Sequence, residues 1–147
     1  MMRKARAFTL VEILVVVVLL GILAVVIVPM VSGSVMSARE SALAHDLNML
    51  RRFVLIYKGQ HLEVAPGYPN GDKTQAPTEQ AFYDQMTLAS NAAGATAAVG
   101  TANFPRGPYM MKLPVNPLNH KDTVQVLADG DSFPANADDS HGWIYKP

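Results

Sequence analysis

The sequence predicts an α+β fold: one long helix, apolar in its first half, whose second half packs on a small C-terminal sheet. Three observations predict it. From Phe8 to Val28, 21 residues in a row, only Thr9, Glu12 and Gly21 are not bulky or methyl-bearing apolar residues. Leu43, Leu47, Leu50, Val54 and Tyr57 then recur at spacings of 4, 3, 4 and 3, a single helical stripe. Near the end, Thr123–Leu127 alternates β-branched and polar side chains, and Trp143–Tyr145 is a second run able to pair with it.

The first half of the helix is long enough for a membrane. Its 21 residues extend roughly 32 Å at about 1.5 Å each, the thickness of a bilayer's hydrocarbon core. Arg3, Lys4 and Arg6 precede the run and no charge follows it until Arg39. That asymmetry puts the N-terminus in the cytoplasm and the remainder outside. The chain of 147 residues is formally neutral, with 12 basic and 12 acidic residues. From Ser32 to Pro147 it carries 9 basic and 11 acidic residues, which excludes a basic nucleic-acid platform. It has no cysteine, so an exported domain here holds together by packing, with or without a metal.

Three readings compete for the apolar run. As a secretory signal it has a basic start and small residues in "VSGS", but its core exceeds the usual 7–15 residues and contains an acid. As a plain anchor it leaves Glu12 unexplained, and a carboxylate within a membrane segment is a functional hypothesis by default. The third reading accounts for the acid. The leader "MMRKARA", the motif "FTLVE" at Phe8–Glu12, and Gly21 and Pro29 beyond it resemble the N-terminus of the type IV pilin and type II secretion pseudopilin superfamily. The resemblance covers about 25 residues. It departs from the family at Ala7, where glycine is usual.

The resemblance implies a prepilin peptidase cut between Ala7 and Phe8 on the cytoplasmic side, removing a leader of residues 1–7, and N-methylation of Phe8. Residues 8–31 then form the transmembrane and assembly helix, and residues 32–147 a periplasmic domain. The Phe8 amine stays largely cationic at neutral pH. Glu12 lies four residues on, about 6 Å along the axis. In a filament the amine of an incoming subunit meets the Glu12 carboxylate of its neighbour, pairing two charges that are each unfavourable in an apolar bundle. The alternative is a Glu12 that reaches to the lipid headgroups.

Beyond this segment the helix is expected to continue through Pro29. Proline there removes the hydrogen bond to the Val25 carbonyl and predicts a kink. Gly21 is either a second weak point or an ordinary packing position. The Leu43–Tyr57 stripe reads as core, with the helix ending near Gly59. "APGYPNGD", Ala65–Asp72, is turn chemistry. A second helix is expected from Pro77, through Phe82 and Met86, to about Ser90. "SNAAGATAAVGTA", Ser90–Ala102, has no period and reads as a flexible surface loop.

The last third carries another resemblance. "GPYMMKLPVNPLN", Gly107–Asn119, then "TVQVL" and the ending "GWIYKP" are similar to the C-terminal domain of the major pseudopilin of type II secretion, and also to looser exported pilin-like proteins. That similarity implies a pilin-like fold with a short antiparallel C-terminal sheet, and Trp143 itself reads as a core anchor against the stripe.

No phosphate loop, HExxH, G-x-S-x-G or cysteine nucleophile occurs, so no enzyme is expected. His45, His61, His120 and His141 have no paired spacing and read as surface or capping residues. Asp129, Asp131, Asp138 and Asp139 cluster between the two C-terminal runs. Calcium takes six to eight oxygens from such loops, and the resemblance implies one calcium there. Solvated turn residues are the alternative.

The expected function is structural: a subunit cleaved, methylated and polymerised into a type II secretion pseudopilus that drives protein export across the outer membrane. Its partners would be its own copies, minor pseudopilins, prepilin peptidase, the inner-membrane assembly platform and lipid, with no nucleic acid. One rival is a surface pilus subunit for adhesion, motility or DNA uptake, many of which close their C-terminal region with a disulfide that this chain cannot form. Another is a membrane-tethered binding domain that never polymerises.

Overall fold

The structure is a computed structural model that describes residues 8–136 and 138–147, and of residues 28–32 the backbone alone. The leader and Ala7 therefore lie outside the described residues, as does the side chain of Pro29, on which the kink was expected. The chain divides into two compact units, Met1–Arg39 and Glu40–Pro147. A single helix, α1 (Leu10–Gln60, 51 residues), supplies all the secondary structure described in the first unit and enters the second. Its end falls where the stripe predicts, and Lys58 sits in its last turn, where a cation suits the carbonyl end of the helix dipole.

The second unit builds its core on the expected stripe. Leu50 and Tyr57 of α1 are buried with Phe82, Met86, Met110, Leu113, Val124 and Trp143, and Leu43, Leu47 and Val54 pack against them. Helix α2 spans Glu79–Thr87. It begins two residues later than expected because Thr78, with extended backbone, caps it: its hydroxyl accepts from Ala81 N at 3.1 Å. It also stops early, and Ala89–Ser90 becomes strand β1.

The stretch expected to be a flexible loop is an ordered hairpin. β1 pairs antiparallel with β2 (Thr96–Ala97). Asn91 Oδ1 accepts from the backbone N–H groups of Ala93 and Ala95 at 3.0 and 3.1 Å, and Ser90 bridges to Arg106 on its other side. Side-chain-to-backbone hydrogen bonds hold this turn, and they leave no hydrophobic period in the sequence.

β3 (Val124–Val126) and β4 (Trp143–Tyr145) are the expected C-terminal partners, but they run parallel. The antiparallel pair of the fold is β1–β2 instead. Parallel strands need a long return connection, and residues 127–142 provide it. "NPLN" fixes the end of that return. Asn116 Nδ2 donates to Gly142 O at 2.7 Å and Asn119 Nδ2 to His141 O at 2.9 Å. Gly142 sits so close to the neighbouring chain that a Cβ would lie 2.2 Å from Lys121 O. Trp143 then enters the core with its indole N–H donating to Pro114 O at 2.8 Å, which satisfies its one polar group.

Candidate functional site

The start of α1 follows from "FTLVE". Glu12 N donates to Thr9 Oγ1 at 3.2 Å, and Thr9 N donates to Glu12 Oε2 at 3.4 Å. This reciprocal pattern is a capping box, with Thr9 as the cap and Glu12 three residues in. The carboxylate also lies in the first turn, where the helix dipole favours negative charge. The Thr-x-x-Glu spacing was present in the sequence as a sign of it. Phe8, just outside the helix, is 76% exposed. From Leu10 to Ile27 no residue is buried, and the segment has the length and composition to cross a membrane. A helix apolar on every face is suited to lipid or to other apolar helices.

The four aspartates all lie exposed on the β3–β4 connection. Asp129 Oδ1 accepts from the Tyr68 hydroxyl at 2.7 Å, which pushes the Tyr68 pKa up from its ordinary value. Asp131 Oδ2 accepts from Ala128 N at 3.0 Å. Asp138 Oδ1 accepts from the Ser140 hydroxyl at 2.7 Å and from Ser140 N at 2.9 Å, which holds its carboxyl below the usual range. Asp139 has a φ of 55°, and its carbonyl accepts from Lys121 Nζ. Among the described residues no group of three or more His, Cys, Asp or Glu side chains gathers as a metal site.

Of the histidines, His45 and His120 are exposed, and His141 approaches Glu79 at 3.4 Å. His61 departs from expectation. It is 1% exposed and stacked on Tyr57, with ring centroids 3.8 Å apart. Because its Nδ1 faces the Tyr57 carbonyl at 2.8 Å, that nitrogen carries the proton. Nε2, 2.9 Å from Ser90 Oγ, then accepts from the hydroxyl. Burial, opposed in part by the Tyr57 carbonyl, lowers the His61 pKa. Ser90 is also fully buried, so the pair joins the end of α1 to the hairpin and is closed to a substrate. Gln85, likewise buried, accepts from Gly67 N and donates to the carbonyls of Tyr68 and Gly94. The sequence carries no periodic signal for either residue.

The family model described as the prokaryotic N-terminal methylation motif matches residues 2–28. Over nearly the whole chain two curated relatives align. The type II secretion system core protein G of Klebsiella pneumoniae is 29% identical over 154 aligned residues, covering 97% of this chain and 96% of that protein. Its namesake in Vibrio cholerae is 30% identical, covering 96% of this chain and 86% of that protein. No solved structure matches the chain significantly. With the methylation motif over residues 2–28 and two core protein G relatives aligned along nearly its whole length, the chain belongs to the type II secretion pseudopilins, in the family of core protein G.

Proposed function

We propose that the chain is cut between Ala7 and Phe8, methylated on the new Phe8 amine and polymerised into a periplasmic pseudopilus that drives protein export across the outer membrane. The observation that carries this reading is the "FTLVE" start: a capped helix with one carboxylate at the head of an otherwise uncharged, uncovered apolar segment. Before assembly, lipid surrounds that segment, with the N-terminus cytoplasmic and the second unit periplasmic. The basic residues Arg3, Lys4 and Arg6 support that orientation. After assembly, α1 segments of other copies replace the lipid, and Glu12 pairs with the Phe8 amine of a neighbour. Minor pseudopilins, the prepilin peptidase and the inner-membrane assembly platform are the partners this cycle requires. The role is structural, with no substrate turned over by the chain itself.

Mass spectrometry of the protein extracted from membranes tests the first step. The expected N-terminal peptide begins at Phe8 and carries one methyl group. An intact leader in cells with active peptidase overturns the proposal.

A further inference from the structure

The Asn70–Gly71 dipeptide belongs to no step of the assembly cycle, yet it is the backbone pair most prone to self-modification in the chain. When the Asn side-chain amide and the next backbone nitrogen meet, that nitrogen attacks Cγ. The N–Cγ bond forms, the Cγ–Nδ2 bond breaks, and ammonia leaves with the amide proton. Water then opens the cyclic imide at either carbonyl, giving aspartate or isoaspartate. Glycine in the second position puts no side chain in the way.

Three features of the fold oppose the attack. Asn70 is exposed, in a left-handed turn at φ 52° and ψ 22°. At that ψ the Gly71 nitrogen nearly eclipses Asn70's own nitrogen and so faces away from Cβ and the side-chain amide. The Gly71 N–H is also engaged, donating to Tyr68 O at 2.9 Å, and the next N–H, of Asp72, donates to Pro69 O at 3.0 Å. Finally, Gly71 is wedged against the hairpin. A Cβ on it would lie 1.9 Å from Ala93 O, and a Cβ on Gly94 would lie 3.1 Å from Gly71 N. Closing the imide requires ψ of Asn70 to swing round, which breaks both hydrogen bonds and pulls Gly71 off the hairpin.

We propose that Asn70–Gly71 is a latent imide-forming site which the folded turn guards, and whose reaction makes opening of this turn irreversible. The irreversibility comes from the isoaspartyl product. It adds a methylene to the main chain where Gly71 already touches the Ala93 carbonyl, and close-packed neighbours do not absorb that length.

The test uses the full chain in detergent micelles, held in mildly alkaline buffer with and without denaturant. Amide-to-acid conversion is read in the tryptic peptide Gly59–Lys73, and isoaspartate by enzymatic methylation. Conversion is expected at least about tenfold slower in the folded chain, because reaction awaits local opening. Equal rates with and without denaturant overturn the guard. Material converted while unfolded is then refolded beside Asn70→Asp, which makes the same charge change without the extra methylene. Asn70→Asp is expected to refold and the isoaspartyl fraction to remain unfolded. If both refold alike, the irreversibility is overturned.

Discussion

At the scale of single residues, His61 couples the stability of the second unit to pH. Its imidazole is neutral in the fold, with Nδ1–H on the Tyr57 carbonyl and Nε2 accepting from Ser90, and burial lowers its pKa. In the unfolded chain the ring has its ordinary value of about 6.5. The unfolded state therefore takes up the proton first as pH falls. The contribution of neutral His61 is fully present above about pH 6.5 and is lost progressively below it, toward the lowered folded value. His61→Phe keeps a ring on Tyr57 but leaves Ser90 Oγ buried without its partner. It is expected to lose about 1–3 kcal/mol near neutral pH and to flatten the stability profile below pH 6.5. Denaturant unfolding followed through Trp143, the single tryptophan, measures both. A profile as steep as the parent's assigns the pH dependence to other groups. The aspartates of the β3–β4 connection invite a similar measurement. With Asp129 on the Tyr68 hydroxyl and Asp131 and Asp138 each engaged in its own turn, exchanging calcium for chelator is expected to move the melting midpoint by less than about one degree. Several degrees, the scale a ligand held only by the fold would produce, would mean that the connection closes on a cation.

At the scale of elements, the joint before β4 depends on amide side chains. Asn116 both donates to Gly142 O and accepts from Leu118 N, so it holds a turn and a strand start at once. Asn116→Ala is expected to destabilise by about 1–2 kcal/mol, read by the same unfolding experiment; an unchanged midpoint would show that β4 is positioned by Trp143 alone. Elements driven by apolar periodicity were legible in the sequence. The stripe of α1, the Phe82–Met86 face of α2 and the two C-terminal strands are where the pattern puts them, because side-chain burial sets that pattern directly. Elements held by polar side chains on backbone were not. The Asn91 turn, the Gln85 bridge and the His61–Ser90 link satisfy hydrogen bonds between residues far apart or irregularly spaced, which leaves no period to find. The parallel sense of β3 and β4 was missed for a related reason: alternation marks a strand but says nothing of its direction. At the candidate site the motif was read as chemistry while its local role, the cap on α1, went unread.

At the scale of the whole molecule, the two units meet different surroundings. The second encloses its own core and is stable to the extent that this core excludes water. The first buries nothing from Leu10 to Ile27, and in the proposed cycle lipid or other copies cover it. In that setting Glu12 has two roles that a substitution can separate. One is the cap, a hydrogen bond to Thr9 N. The other, proposed above, is a charge that meets the Phe8 amine of a neighbour. Glutamine at this position still closes a capping box but has no charge, whereas Thr9→Ala weakens the cap by about 1 kcal/mol and keeps the charge. Membrane insertion is expected to survive both changes, since removing the carboxylate only eases entry into lipid and the 18-residue Leu10–Ile27 window keeps its apolar side chains. Filament formation is expected to separate them. When the protein is overproduced with its assembly machinery, Thr9→Ala should yield filaments and Glu12→Gln should yield none, as counted by electron microscopy of sheared cells. Filaments of normal number from Glu12→Gln, with none from Thr9→Ala, would reverse the assignment: the carboxylate would then act by shaping the start of α1, and the register between subunits would have to come from apolar packing along the helix.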